Sequence, residues 1–200
     1  LDIDASKQNR SIDRWTIQDI AQELFMPLTI GGGINTIDDI SNALAKGADK
    51  VSINSAALVN PNLIKESSQS FGNQCIVGSI DVKKVEDKYT IFSHSGKNTD
   101  RDLIDWAREL ESLGAGEILL NNVDEDGSMK GMDMKLVHDF CHAVKVPVIV
   151  AGGVARPHDC VNAVQSGASA IGVSSIFHFT SYTPLECKQH MVENGIPARI

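Results

Sequence analysis

The chain has 200 residues and 42% hydrophobic content, enough to bury a sizeable core, and reads as a single domain spanning 1–200. A formal net charge of -8 at pH 7, without clusters of Lys and Arg, argues against nucleic acid or an acidic membrane as the main partner. With no apolar run long enough to cross a bilayer and no signal-like opening, the expected location is the cytoplasm.

The chain opens on "LDIDAS", which reads as the end of a strand already in progress. Short runs rich in Val, Ile and Leu follow: "FMPLTIGG", "DKVSIN", "CIVGSID", "GEILLNNVD", "PVIVAGG" and "SAIGVSS". Several are apolar nearly throughout, as strands buried on both faces are. Between them the spacing of apolar residues predicts helices over 37–47, 60–72, 100–114, 134–144 and 157–167, four of them closing on Gly. A polar piece over Lys83 to His94 predicts a long βα loop with a small hairpin. Strand and helix alternate, so the expected fold is α/β with a parallel sheet.

An internal repeat selects between an open doubly wound sheet and a closed barrel. "PLTIGGGINTIDDISNALAKGADKVSINSA" from Pro27 and "PVIVAGGVARPHDCVNAVQSGASAIGVSSI" from Pro147 match at a constant offset of 120 residues. The matched pairs include Gly32 with Gly152, Gly33 with Gly153, Asp39 with Asp159 and Ser55 with Ser175. A repeat of this length suits a (β/α)8 TIM barrel built from two half-barrels. Counting back from the strand at 169–174 makes "LDID" the end of the second strand, so this chain is expected to lack the first βα unit.

In such a barrel the active site lies at the carboxyl ends of the strands. Gly33, Gly152 and Gly153 fall there, as do Asn54, Ser55, Ser174 and Ser175. Glycine lets backbone N–H groups close on an anion, although a Gly-Gly pair alone also fills a tight barrel corner. Two copies, each followed one strand later by small polar residues, predict a ligand with a phosphate at each end. Asp81 closes the apolar run "CIVGSID", which predicts a carboxylate at the catalytic rim suited to acid/base work; capping of a following turn is the alternative. Asp126 and Gly127 end another strand, where a plain Asp-Gly turn competes with a binding role.

"GGGI", "GADKVSINSAA", "LGAGEILLNNVDEDGSMKGMD", "PVIVAGGV" and "SSIFHFTSYTPLECKQHMVENGIPARI" together resemble the HisF family, the cyclase subunit of imidazole glycerol phosphate synthase. The resemblance runs the length of the chain. It implies a (β/α)8 barrel that receives ammonia from a HisH-like glutaminase partner in a heterodimer. The ammonia attacks a bisphosphorylated ribulosyl aminoimidazole carboxamide nucleotide, giving imidazole glycerol phosphate and an aminoimidazole carboxamide ribotide. By the same resemblance Asp81 is a catalytic acid/base, and Gly33, Asn54 and Ser55 form one phosphate site. Asp126, Gly127, Gly153, Ser174 and Ser175 line the other side of the cleft, and Asp2 faces it. Lys50 and Glu117 resemble half of a charged ring that gates ammonia at the amino-terminal face, with Asp49 at the docking face for the glutaminase; ordinary surface charge is the competing reading of the adjacent Asp49 and Lys50. No cofactor is implied.

The departures point to a second acceptor. Family cyclases read "LDITAS" and "LLTSIDRDG" where this chain has "LDIDASKQNR" and "LLNNVDEDG". "LDIDAS", "FMP" and "VGSID" resemble WbuZ-type paralogues, which implies formation of an acetamidino group on a surface-polysaccharide sugar. A non-catalytic copy that binds a phosphate compound or the glutaminase is a third reading, and a HisA-type isomerase a fourth.

The remaining features carry less. His138 and His142, spaced i and i+4, are read as a solvated helix face and not as a metal site, and His94, His158, His178 and His190 show no triad arrangement. Cys75, Cys141, Cys160 and Cys187 lack metal or disulfide spacing and read as reduced packing residues, and Trp15 and Trp106 as core or helix-packing residues.

Overall fold

The computed structural model describes residues 1–2, 4–5, 8, 10, 14–93 and 100–200, with the side chains of 14–16 outside that description. His94 and the Trp15 side chain therefore lie outside the described residues. In chain order the elements are α1 (Arg14–Glu23), β1 (Thr29–Gly31), α2 (Ile37–Ala45), β2 (Lys50–Ile53), α3 (Ser55–Val59), α4 (Asn62–Phe71), β3 (Ile76–Val85), β4 (Lys88–Phe92), α5 (Leu103–Leu113), β5 (Glu117–Asn122), α6 (Met134–Cys141), β6 (Val148–Ala151), α7 (Pro157–Gln165), β7 (Ala170–Gly172), α8 (Ser175–Phe179) and α9 (Pro184–Glu193).

Six strands pair in parallel in the order β1-β2-β3-β5-β6-β7, and β4 pairs antiparallel with β3. This is a partial (β/α) barrel, as the strand and helix rhythm predicts. Asp2 extends the arc beyond β1 by one ladder-like bond, its N–H donating to the Gly31 carbonyl at 2.7 Å. Among the described residues no strand pairs with the outer side of β7, and no helix is long and apolar enough to cross a membrane.

Local rules explain the helices that frame the site. In α5, Leu103, Trp106, Ala107 and Leu110 recur at helical spacing and all are buried, each large side chain contributing about 2 kcal/mol. Asp102 starts that helix by accepting from the N–H groups of Ile104 and Asp105, and Gly114 ends it in the left-handed region at φ 102°. The helix expected over 134–144 stops at Cys141, because its last turn tightens into a bond from the Ala143 N–H to the Phe140 carbonyl. Most of the core is one cluster between sheet and helices; a smaller one joins Val154, Cys160, Ile176 and Cys187.

The repeat seen in the sequence is a repeat in geometry. Asp39 accepts from the Asn35 and Thr36 N–H groups at 3.1 Å each, and Asp159 accepts from those of Ala155 and Arg156 at 2.9 and 3.1 Å. Asn54 and Ser174 share an unusual backbone (φ -118°, ψ -89° and φ -135°, ψ -71°), and each precedes a five-residue helix. A Cβ on Gly32 would lie 2.2 Å from the Asp2 carbonyl oxygen, and one on Gly152 2.3 Å from that of Asn122. Asp2 and Asn122 stand at the same offset, so the duplication reaches further back than the matched letters.

One expectation needs correction. Asp81 does not end its strand: β3 continues to Val85, because the hairpin with β4 supplies new ladder partners from Asp81 to Val85 where β2 runs out. The expected hairpin in the long βα loop is thus an extension of the strand itself.

Candidate active site

Parallel strands bring their carboxyl ends to one face, and the register places Asp81 beside Asn121, Asn121 beside Ala151 and Ala151 beside Gly172. Over β1, β2, β3 and β5 that face holds a cleft of about 150 Å³ lined by Asp2, Gly32, Gly33, Ser52, Asn54, Ser55, Ser79, Asp81, Asn121 and Asp126 among others. Six residues singled out in the sequence, Asp2, Gly33, Asn54, Ser55, Asp81 and Asp126, therefore meet in one place.

Asp81 is the buried carboxylate of this cleft. Only 5% of it is exposed, and its two oxygens accept from different amides: Oδ2 from Asn54 Nδ2 at 2.9 Å and Oδ1 from Asn121 Nδ2 at 3.1 Å. Amide donors hold a buried carboxylate in one orientation and offset the cost of burying it. Asn54 spends its amide on Asp81, which leaves its own Oδ1 buried and without a partner among the described residues. An orphan acceptor in a cleft is open to a donor from water or from a hydroxyl or N–H group of a ligand.

Around Asp81 the first glycine turn forms a cradle. Gly32 and Gly33 take φ of 104° and 66°, values that favour glycine, and the Asn35 amide donates to the Gly33 carbonyl at 3.0 Å. Ser55 begins α3, and its hydroxyl accepts from that of Ser93 at 3.1 Å. Asp2 turns its carboxylate back to the Asp4 and Ala5 N–H groups and to Arg10, whose guanidinium holds Asp2 below the usual carboxylate range.

The second glycine turn lies over β6 and β7. Gly153 is at φ 93°, and a Cβ there would stand 2.4 Å from the Gly131 carbonyl, so the loop after β5 covers it. Gly152 packs against the backbone of Asn122, and Gly127 faces the Ser175 hydroxyl, 3.9 Å from where a Cβ would point. Gly127, Gly153, Ser174 and Ser175 thus assemble beside the Asp81 cleft but do not line it.

At the opposite face Lys50 and Glu117 form an ion pair across the start of β3, both side chains about one quarter exposed. Asp49 is exposed and accepts from the Leu28 N–H at 2.7 Å, so it also anchors the start of β1. Among the described residues no group of three or more His, Cys, Asp or Glu is arranged to hold a metal ion. The four cysteines are free thiols; burial pushes Cys160 up to about 12 and Cys141 up to about 11, which keeps both protonated. Trp106 is buried, as expected.

Sequence reasoning missed Asn121 and Ser93. Asn121 carried the same signal as Asp81, a polar residue closing an apolar run. Ser93 carried none, since its place depends on how far the hairpin carries β4 back over the cleft. Compared with models of known families, residues 1–183 match the one described as "Histidine biosynthesis protein".

Proposed function

The chain belongs to the histidine biosynthesis protein family, whose members are usually enzymes, isomerases or cyclases, and on that premise we propose that it is a HisF-like, ammonia-using cyclase subunit. The observation that carries the reading is Asp81, a buried carboxylate fixed by two amides between two symmetry-related glycine turns. Asp81 serves as general acid/base on the central part of the substrate. The Gly33, Asn54 and Ser55 side holds one phosphate, and the Gly127, Gly153, Ser174 and Ser175 side holds the other. Neither phosphate needs a cofactor to bind.

The Lys50–Glu117 pair is consistent with the cyclase reading. The pair stands at the amino-terminal face of the strands, where a synthase fed by a glutaminase takes in ammonia, so a polar gate at that position is part of the cyclase reading. In this reading the glutaminase docks at the amino-terminal face beside Asp49, and its ammonia passes the pair on the way to the cleft.

A second reading rests on Asn121. This residue stands where the cyclase pattern "LLTSIDRDG" has Thr, and it places an amide on Asp81 Oδ1 in place of a hydroxyl. That change replaces the hydroxyl of the cyclase pattern with an amide beside the candidate acid/base, and with the WbuZ-like "LDIDAS" and "VGSID" it supports a different acceptor, the sugar-linked amide of the WbuZ-type reaction. Ammonia-dependent turnover separates the two. Conversion of the ribulosyl bisphosphate assigns the cyclase; amidine formed on a UDP-N-acetyl sugar, with the bisphosphate inert, assigns the paralogue. Failure of both substrates with ammonia in excess overturns the proposal.

A further inference from the structure

The β3–β4 hairpin carries a hydroxyl back toward the cleft. The ladder that sets its length runs from Val85 beside Lys88 to Asp81 beside Phe92, so Ser93, the next residue, is returned to the level of the Asp81 end of β3. Two ties to the segment after β5 fix the hairpin there: the Lys84 N–H donates to Asp124 and the Tyr89 hydroxyl to Asp133. Ser93 is 4% exposed, and its hydroxyl donates to Ser55 Oγ at 3.1 Å. Ser55 lines the cleft with Gly33, whereas Ser93 stands behind it and does not line the cleft.

The direction of that bond decides what Ser55 can offer a ligand. A serine hydroxyl has one proton and two acceptor lone pairs. Were the Ser55 proton spent on Ser93, a lone pair would face the ligand, and the oxygens of a phosphate dianion accept hydrogen bonds without donating any. With Ser93 donating, the lone pair is used behind the cleft and the proton of Ser55 remains for the anion. The burial of Ser93 keeps water from competing for this bond, and each hydrogen bond in such a chain polarises the next.

We propose that Ser93 is a positioning residue of the phosphate side formed by Gly33, Asn54 and Ser55: by donating to Ser55 it turns the Ser55 proton toward the bound phosphate. This rests on the phosphate reading of that side and holds whichever acceptor takes the ammonia. It also gives the overrun of β3 a use, since a strand that ended at Asp81 would leave Ser93 without its approach to Ser55.

The test titrates the full chain with inorganic phosphate and reads the Gly33 and Ser55 amide signals by NMR, with those of Gly153 and Ser175 reporting the other side. Ser93→Ala weakens phosphate binding at Gly33 and Ser55 about fivefold, in the range of one net hydrogen bond, and leaves the other side unchanged. Ser55→Ala weakens it about tenfold, the loss of a charge-assisted bond. The double variant is no worse than Ser55→Ala alone, because Ser93 acts through Ser55. Each change removes a single oxygen, and urea unfolding shows that the variants are folded. With a converted substrate, Ser93→Ala raises KM by the same factor and leaves kcat nearly unchanged. Unchanged phosphate affinity in Ser93→Ala, losses that multiply in the double variant, or a fall in kcat at constant KM would overturn the positioning role. Absence of saturable binding at Gly33 and Ser55 in the unaltered chain overturns it together with the phosphate site. Phosphate bound there while neither substrate is converted leaves it standing and overturns the ammonia-using reading alone.

Discussion

The two glycine turns share a backbone and differ in what surrounds it. The β1 turn opens onto the Asp81 cleft, and its helix cap, Asp39, is partly exposed. The β6 turn is roofed by Gly131, and its cap, Asp159, is 5% exposed. Duplication therefore preserves what backbone geometry requires, the positive-φ glycines and the carboxylate caps, while the side chains around each copy diverge. Asp81 and its two amides lie with the open copy, lining the cleft beside Gly32 and Gly33.

The largest effect expected from that asymmetry is at Asp81. Asp81→Asn keeps the shape, gives up one of the two bonds from the Asn54 and Asn121 amides and cannot exchange a proton, so with Asp81 as the acid/base turnover falls about 10³-fold while substrate affinity changes far less. Steady-state kinetics with the converted substrate check this; equal loss of kcat and affinity would make Asp81 a binding residue only. The matching substitution on the roofed side, Ser175→Ala, raises KM more than it lowers kcat if that side only holds phosphate.

The glycines test whether the two copies are equivalent where the backbone rules. Gly32→Ala and Gly152→Ala each force a Cβ to within 2.2 and 2.3 Å of a carbonyl oxygen, at φ of 104° and 94°. Both lose about 2–4 kcal/mol in denaturant unfolding, and by similar amounts. A large difference between them would show that the copies are not mechanically equivalent.

These positions also mark how far the sequence could be read. Gly32 and Gly152 were legible because only glycine suits such a turn, and the repeat doubled the signal. The helices α2, α5 and α7 were legible because apolar spacing and a closing glycine agreed. Asp81 stood out as a charge closing an apolar run. What stayed hidden depends on tertiary partners. The overrun of β3 to Val85 needs β4 beside it, and the Ser93 contact with Ser55 needs the hairpin's length. The His158–His190 contact needs α9 folded back on α7. The short helices α3 and α8, five residues each, are too brief for any period to show.

The caps give a smaller effect and a directional one. Asp159→Ala leaves the Ala155 and Arg156 N–H groups without their acceptor in a part-buried setting, and costs about 2 kcal/mol. Asp39→Ala removes similar bonds where water can take over, and costs about 1 kcal/mol. Chemical denaturation of the two variants side by side measures the difference; reversal of the order would mean that burial does not set the value of these caps.

The smallest effect concerns the hairpin that stands between the two copies. Tyr89 of β4 donates its hydroxyl proton to Asp133 Oδ2 at 2.5 Å, and Asp133 caps α6 by accepting from the Leu136 N–H. Burial, then the hydrogen bond to this carboxylate, pushes Tyr89 up to about 12. The folded state therefore holds the phenolic proton more tightly than the unfolded chain, whose tyrosine ionises near 10. The contribution to stability is complete below pH 10 and is lost as pH rises from about 10 toward 12. Its size is roughly 1 kcal/mol, the net value of one partly exposed hydrogen bond. Tyr89→Phe should lower stability by that amount at pH 8 and flatten the alkaline limb above pH 10, while Asp133 continues to cap α6. If the alkaline limb is unchanged in Tyr89→Phe, the hairpin is held by its ladder and by the bond from the Lys84 N–H to Asp124 at 2.7 Å, and the tie to α6 adds nothing to the placement of Asp81.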